Sequence, residues 1–270
     1  TRRSSDLEED FNGITENEIK IGCSATMTGI ISFIGKQITK GSLAYINEIN
    51  ENGGIEGRKI SLLIYDNKYE ATDARANTVD FIFKDKVFLL FNYTGTPTTK
   101  ATVDLINDNH IPLLGVYSGA EFLRSPFQAY IFNVRASYFD EVQCIIDYWM
   151  TKNDTKIGVY YQNDSYGEDV NNSTIASLAA YNINPLFNIS FAKGSNETID
   201  TINKIVQYNP ECIITAGTYS QIAKFIKMCY DAGLKNTKFH SVSFISSEAF
   251  GIELEKQGIS GDKEIYVTQV

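Results

Sequence analysis

The amino-acid sequence predicts an α/β protein with two lobes, each built on a central parallel sheet with helices on both faces. Short apolar runs typical of buried strands alternate with amphipathic stretches typical of helices from Glu18 onward. This alternation favours parallel strands joined by right-handed helical connections. Because the whole pattern occurs once before Asn133 and again after it, we expect two lobes of one architecture.

The first series of elements begins with a strand that follows an acidic segment, 1–12, which we predict to be a disordered tail. Its first helix should end at Asn52-Gly53-Gly54, because glycine readily adopts the left-handed conformation that closes a helix. The predicted strands are 19–23, 59–66, 87–91 and 111–115, and the predicted helices are 36–51, 71–84 and one that starts at Pro97.

The second series contains the clearest helical pattern in the chain. Over 219–231, the residues Ile222, Phe225, Ile226 and Cys229 recur at the spacing of a core-facing stripe. The other predicted elements are helices 139–150, 167–181, 198–207 and 247–256, and strands 156–161, 185–189, 211–215, 238–244 and 264–269.

The composition excludes some partners and some chemistry. The 270 residues carry a formal net charge of −9 without a basic patch, so we expect no nucleic acid and no anionic membrane as partner. No apolar run is long enough to span a bilayer. Cys23, Cys144, Cys212 and Cys229 lack CxxC or metal-ligand spacing and are predicted to be buried free thiols, with a Cys212–Cys229 bridge as the one pairing left open.

Residues that could carry catalysis are few. The motifs GxSxG, HExxH and GxGxxG do not occur in the sequence. His110 and His240 lie far apart in the chain and are predicted to be structural. The segment 29–37 resembles a phosphate loop but has one residue too many between its glycines. We therefore predict no enzymatic activity, no metal site and no cofactor.

The segment Gly95-Thr96-Pro97-Thr98-Thr99 follows a buried strand and is the first candidate for ligand binding. A Thr N-cap followed by Pro at the first helical position is a strong helix-start signal. The Thr96 hydroxyl and the backbone N–H groups of Thr98 and Thr99 would then lie at the positive end of a helix dipole. Open α/β sheets bind small anions at such places.

Hydroxyl-bearing and aromatic residues also follow other predicted strands at their carboxyl ends. If the two lobes face each other, these residues converge on one cleft. Hydroxyl and N–H groups suit a carboxylate, whereas Tyr and Phe rings suit an apolar or aromatic body. The set consists of Thr26, Thr28, Tyr93, Thr94, Thr96, Tyr117, Ser118, Tyr166, Thr218, Tyr219 and Phe244.

Seven short segments of the chain carry a family resemblance, namely 13–23, 53–59, 95–99, 119–124, 133–138, 161–167 and 267–270. In this order they resemble the type I periplasmic ligand-binding proteins, the branched-chain amino-acid (Leu/Ile/Val) binding family of ABC importers. The resemblance covers about 13–270. It implies two Rossmann-like lobes that are joined by three crossings and close on a ligand, with no chemistry.

The resemblance also implies a ligand site and lobe boundaries. It puts an α-carboxylate on Thr96, with backbone groups around Thr98. With crossings near 133–135 and 243–247, we expect 13–133 plus 246–270 to form lobe 1 and 134–245 to form lobe 2. Members usually continue past the strand matching 264–269, so we expect lobe 2 to be truncated at the C-terminus. The predicted ligand-binding residues are Thr28, Tyr93, Gly95, Thr96, Thr98, Tyr117, Ser118, Gly119, Tyr166, Thr218, Tyr219 and Phe244.

One departure from the family concerns the ligand's ammonium group. Amino-acid-binding members supply an acidic residue in the segment matching 242–246, where this chain has Val-Ser-Phe-Ile-Ser. Unless Glu248 or Glu121 reaches the site, an ammonium group would be poorly paired there, at a cost of several kcal/mol. We therefore hypothesise an aromatic or aliphatic acid that lacks this group.

Three functions stay open at this point. The first is a periplasmic or extracellular solute-binding protein, with or without a membrane anchor, whose partners are a small ligand and an ABC transporter permease. The second is the extracellular sensor domain of a receptor such as a kinase, cyclase or chemoreceptor, whose partner is the receptor's membrane domain. The third is a cytosolic regulator, amide-responsive or other, on the same fold.

Overall fold

A computed structural model describes residues 12–195, 199–261 and 263–270 of the chain. Of the predicted tail, 1–12, only Asn12 belongs to the described residues, and it lies in a turn. Position 198, the predicted start of one helix, lies outside the described residues. The described residues form strands β1 (Glu18–Ala25), β2 (Lys59–Asp66), β3 (Leu89–Phe91), β4 (Leu113–Leu114), β5 (Ile131–Phe132), β6 (Ile157–Gln162), β7 (Asn188–Phe191), β8 (Cys212–Ala216), β9 (Lys238–Ser241) and β10 (Ile265–Val267). The helices are α1 (Ser32–Glu51), α2 (Ala71–Val79), α3 (Thr96–Lys100), α4 (Val103–Asp108), α5 (Tyr138–Thr151), α6 (Ser165–Ala179), α7 (Ile199–Tyr208), α8 (Tyr219–Asp231) and α9 (Ser247–Lys256).

The described residues divide into two compact units. The first contains residues 12–94, Ala101–Val116 and Gln128–Val134, and the second contains Gly95–Lys100, Tyr117–Phe127 and Arg135–Val270. Each unit has a parallel sheet with helices on both faces, as the sequence predicts.

The two compact units differ from the predicted lobes at the end of the chain. Residues 246–270 were expected in lobe 1, but they belong to the second unit. The reason is strand pairing, since β10 forms a parallel ladder with β9 in which Ile265 pairs with Phe239.

The sheet of the first unit has its described strands in the order β2-β1-β3-β4-β5. Ile21 of β1 pairs with Leu62 of β2 and with Leu89 of β3, so β1 lies inside the sheet. The helix predicted over 71–84 is interrupted, because α2 ends at Val79 and a π-helical turn covers Asp80–Lys84.

The sheet of the second unit runs in the order β10-β9-β8-β6-β7 among the described strands. The predicted stripe of α8 is confirmed, since Ile222, Phe225, Ile226 and Cys229 are all buried in its core. The Phe225 ring stacks on Tyr160 with 3.7 Å between ring centroids. A continuous apolar and aromatic core therefore lies between α8 and this sheet.

The cysteines are free thiols, and the Cys212–Cys229 bridge does not form. Cys23, Cys212 and Cys229 are buried as predicted, and burial raises the pKa of the Cys23 thiol to about 12. The prediction is wrong for Cys144, which is exposed on α5, because this position faces away from the core side that buries Ile145 and Ile146.

Candidate functional site

Three buried hydroxyl groups meet in the second unit, and we call them the hydroxyl cluster: Thr96 on α3, Ser118, and Tyr138 at the start of α5. Thr96 Oγ1 lies 2.8 Å from Ser118 Oγ and 3.1 Å from the Tyr138 phenol oxygen. Burial raises the pKa of Tyr138, so its phenol stays neutral and can donate a hydrogen bond. The cluster can therefore offer several neutral donors to an anion.

The local structure at Thr96 differs from the predicted N-cap. Thr96 is the first residue of α3, and the helix has only five residues, so its dipole is small. The Gly95 carbonyl accepts hydrogen bonds from the Thr98 hydroxyl at 2.9 Å and from the Thr99 backbone N–H at 3.1 Å. The Thr99 N–H, which was predicted to face a ligand, is thus paired within the segment, and binding of an anion by the Thr96 hydroxyl stays a prediction.

Gly119 allows Tyr138 to approach the backbone beside Ser118. The Tyr138 N–H donates to the Gly119 carbonyl at 2.7 Å, and a Cβ atom at Gly119 would lie 2.7 Å from the Tyr138 ring. Ser118 Oγ accepts from the backbone N–H of Ala120 at 3.2 Å, which fixes its rotamer. A side chain at position 119 would therefore push the phenol away from Thr96.

Four aromatic rings adjoin the hydroxyl cluster, and we call them the ring cluster: Tyr117, Tyr138, Tyr166 and Phe244. The Tyr166 ring lies 5.3 Å from Tyr138 and 4.5 Å from Phe244, centroid to centroid. Tyr117 lies 5.5 Å from Phe244. All three pairs are tilted, a favourable arrangement for aromatic contacts. Tyr138 belongs to both clusters, so hydroxyl donors and aromatic surface are contiguous.

The first turn of α6 holds Tyr166 in the ring cluster, and a 3₁₀ turn holds Phe244 there. Asp164 caps α6, and its carboxylate accepts from the N–H groups of Tyr166 at 2.9 Å and Gly167 at 3.2 Å. The predicted strand 238–244 ends early, at Ser241, and Phe244 lies in a 3₁₀ turn over Ser243–Ile245.

A family model described as periplasmic binding protein matches residues 18–269. The chain belongs to the periplasmic binding protein family. This confirms the resemblance and the fold predicted from the sequence.

Individual relatives of this periplasmic binding protein are distant. The Leu/Ile/Val-binding protein homolog 3 of Brucella melitensis is 21% identical over 220 residues, which cover 81% of this chain and 59% of that protein. A solved structure of a possible leucine/isoleucine/valine-binding protein from Rhodopirellula baltica has a TM-score of 0.83 at 24% identity, covering 88% of this chain and 66% of that one. The Streptococcus pneumoniae branched-chain amino acid transporter substrate-binding protein LivJ, solved in complex with isoleucine, has a TM-score of 0.77 at 22% identity, covering 88% and 68%.

This periplasmic binding protein spans about three fifths of the length of the curated relatives it matches. Within the part of the chain that the structure describes, no helix combines the length and the apolar character that crossing a membrane requires.

Two of the predicted ligand-binding residues of this periplasmic binding protein lie in the first unit. The exposed Thr28 hydroxyl is 2.5 Å from the Asp66 carboxylate. The buried Tyr93 phenol is 2.9 Å from Thr78 Oγ1. Both hydroxyls thus have partners inside the first unit, and their contact with a ligand stays a prediction.

Thr218 and Tyr219 lie at the N-terminus of α8 in the second unit. The Thr218 hydroxyl donates to Gln221 Oε1 at 3.2 Å, and Tyr219 packs against the apolar core. Gln221 in turn donates to the Ser195 carbonyl at 3.1 Å. These contacts explain both residues as part of the α8 start, and their role in binding also stays a prediction.

Sequence reasoning missed Tyr138 and Arg135 as site residues. Ser137 and Asp140 form a capping box that places Tyr138 at the first helical position of α5, and this signature can be found in the sequence. The Arg135 guanidinium lies 4.3 Å from the Tyr117 ring centroid, a contact that no local pattern indicates.

An acidic pair lies beside Tyr166. Asp169, one helical turn further along α6, accepts a hydrogen bond from the Glu121 backbone N–H at 2.9 Å. Burial is the largest cause that raises the pKa of Asp169, and with a smaller contribution from the Glu121 charge the pKa reaches about 6. The hydrogen bond from the Glu121 backbone N–H and the charges of Arg124 and Lys100 act in the opposite direction. Arg124 donates to the carbonyls of Ala120 and Arg135. Like charges therefore face each other where the segment Tyr117–Phe127 contacts α6.

We expect the melting temperature to rise as the pH falls from about 7 to 5, through the Asp169 contribution. A pKa raised from its ordinary 3.8 to about 6 means that folding favours the protonated carboxyl. This stabilisation is complete below about pH 3.8 and is lost as the pH rises through about 6. Calorimetric melts of Asp169→Asn should show a smaller pH dependence than the parent. Glu168→Gln, which changes an exposed residue of the same helix, should leave the pH dependence equal to that of the parent. An Asp169→Asn profile equal to the parent's would contradict the assignment.

Proposed function

We propose that the chain is the ligand-binding part of an extracytoplasmic solute-binding protein, which captures a small carboxylate-bearing molecule by lobe closure and delivers it to an ABC importer. Membership of the family supports the class. The relatives are named as binding proteins, which supports binding without chemistry. The observation that carries the ligand class is the contiguity of the hydroxyl cluster and the ring cluster inside the second unit.

The hydroxyl cluster supports a carboxylate because its members are buried and neutral. A buried carboxylate must be hydrogen-bonded, and each hydrogen bond to a charged group is worth about 1.5–3 kcal/mol. Thr96, Ser118 and Tyr138 hydrogen-bond to one another, and each could turn its donor toward a ligand oxygen. The Arg135 charge, which lowers the pKa of Tyr138 against the larger effect of burial, adds a favourable potential.

The ring cluster supports an aromatic or aliphatic body without an ammonium group. Phe244 lies between Tyr117 and Tyr166, in the segment where the resemblance implies an acidic residue. Glu248 is exposed at the start of α9. An amino acid would therefore depend on Glu121 or Asp169 for its ammonium group, whereas a simple acid needs only the hydroxyls and the rings.

A thermal-shift and calorimetric panel tests this proposal. We expect benzoate or an aliphatic monocarboxylate to bind, and a ligand at 100 times its Kd should add about 2.7 kcal/mol of stability. Benzamide, the neutral counterpart of benzoate, should bind far more weakly because it lacks the charge. Tight binding of isoleucine without binding of simple acids would contradict the absence of an ammonium partner. Binding of neither class would contradict the carboxylate proposal.

Thr96→Val should weaken binding of the best acid by roughly 10- to 100-fold. The substitution keeps the side-chain shape and removes a hydrogen bond to a charged group, worth about 1.5–3 kcal/mol, and each 1.4 kcal/mol is a factor of ten. Calorimetric Kd values measure the effect. Thr155→Val makes the same change at an exposed position of the second unit and should leave the Kd unchanged. Equal Kd values for the two variants would remove Thr96 from the site.

A further inference from the structure

Glu141 is a carboxylate buried to 3% exposure at the centre of a polar network in the second unit. Its Oε2 accepts from the Ser243 backbone N–H at 2.6 Å and from the Thr268 hydroxyl, and its Oε1 accepts from the Ser243 hydroxyl at 2.9 Å. Glu141 lies on α5, Ser243 in the 3₁₀ turn and Thr268 after β10. One side chain thus joins three segments that are far apart in the sequence.

The charge of Glu141 is compensated through a relay. The Arg135 guanidinium donates to Ser243 Oγ, and the same hydroxyl donates its proton to Glu141. The Arg135 carbonyl accepts from Arg124 at 2.6 Å, so the arginine backbone is also held. A buried ionic network of this kind adds little stability over well-packed apolar residues, and its better-attested use is to fix one arrangement.

The arrangement that this network fixes is part of the ring cluster. Ser243, held at its N–H and its hydroxyl, directly precedes Phe244. Arg135, held at the Ser243 hydroxyl, covers the Tyr117 ring at 4.3 Å, and the Tyr117 phenol donates to the Ser243 carbonyl at 3.5 Å. The positions of the Tyr117 and Phe244 rings, whose centroids lie 5.5 Å apart, therefore depend on Glu141.

We propose that Glu141 is a positioning residue for ligand recognition, which holds Phe244 through Ser243 and Tyr117 through Arg135. It thereby sets the shape of the aromatic surface against which the apolar body of the ligand packs. This inference rests on the proposed function for the statement that the ring cluster contacts a ligand. The hold of Glu141 on Phe244 can be tested without any ligand.

The experiment uses fluorine NMR of the whole chain with 4-fluorophenylalanine placed either at position 244 or at position 225. Glu141→Gln keeps the side-chain shape but replaces one of the two acceptor oxygens with an amide donor. This donor either competes with Arg135 for Ser243 Oγ or faces the N–H donor of Ser243. We expect the signal at position 244 to shift or broaden while the signal at position 225, in the apolar core, stays in place. Glu255→Gln, which alters an exposed glutamate of α9, should change neither signal.

An unchanged signal at position 244, or equal changes at both positions, would overturn the proposal, the second because it marks a general structural role. If Glu141→Gln does not fold, Ser243→Ala serves in its place, because it removes the relay to Arg135 and keeps the backbone N–H bond to Glu141. It should again move only the signal at position 244. Failure of every acid to bind would refute the proposed function. The fluorine NMR signals at positions 244 and 225 would still test whether Glu141 holds Phe244.

Discussion

Gly167→Ala is expected to lower the free energy of unfolding by about 3 kcal/mol, the upper range for overpacking. A Cβ atom at Gly167 would lie 2.0 Å from the Gln162 carbonyl oxygen and 2.8 Å from the Gln162 nitrogen. Both contacts are with backbone, at the end of β6, so no side chain can move aside. Urea unfolding followed by circular dichroism measures the loss.

The same substitution should also impair ligand binding, because the α6 N-terminus carries Tyr166. Moving the first turn of α6 would break the contacts of Asp164 with the N–H groups of Tyr166 and Gly167. Gly251→Ala on α9 is the matched control, since apart from the neighbouring backbone of its own helix none of the described atoms lies within 4 Å of its added Cβ. Replacing a helical glycine there should add up to about 1 kcal/mol. Similar unfolding midpoints for the two variants would contradict the steric argument.

Phe225→Ala is expected to cost about 3–5 kcal/mol, the usual range for removing a large aromatic side chain from a core. Phe225 is 1% exposed, stacks on Tyr160 and meets Phe239 edge to face with centroids 6.1 Å apart. These rings lie where α8 packs on the sheet, so the cavity would open at the middle of the second unit. The free energy of unfolding from urea titration measures the effect.

Phe127→Ala is the control for this prediction. Phe127 belongs to the same unit and is 87% exposed, so its removal should change the stability by no more than about 0.5 kcal/mol. A loss at Phe225 as small as that at Phe127 would mean that α8 does not contribute to the core of the folded unit.

The long elements of the fold could be predicted from the sequence because their patterns are local. The β2 strand has the predicted bounds, and the α8 helix follows its apolar stripe. The two-residue strand β5 was missed, because so short a strand depends on pairing with β4 more than on its own residues. The brevity of α3 was missed as well. Its length depends on bonds to the Gly95 carbonyl that a helix-start signal does not specify.

The candidate site was predicted in part, where its residues directly follow strands or loops. Thr96, Ser118 and Tyr166 were identified in this way, and the structure brings all three to Tyr138. The role of Glu141 could not be predicted, since its partners Ser243 and Thr268 are separated from it by more than a hundred residues. Contacts between residues so far apart in the sequence produce no periodicity or fixed spacing from which they could be predicted.

The hydroxyl cluster also has a consequence for the order of folding. Thr96 meets Ser118 and Tyr138 across sequence separations of 22 and 42 residues, and α3 is attached to the rest of its unit by segments that belong to the other unit. Closing such loops costs conformational entropy before any contact repays it. The described strands of the second sheet and α8 all lie within Arg135–Val270, whereas the hydroxyl cluster requires both excursions of the chain to return. On the proposed function, the carboxylate site is therefore complete only after both excursions have returned, and we expect it to be among the first parts of the unit to open.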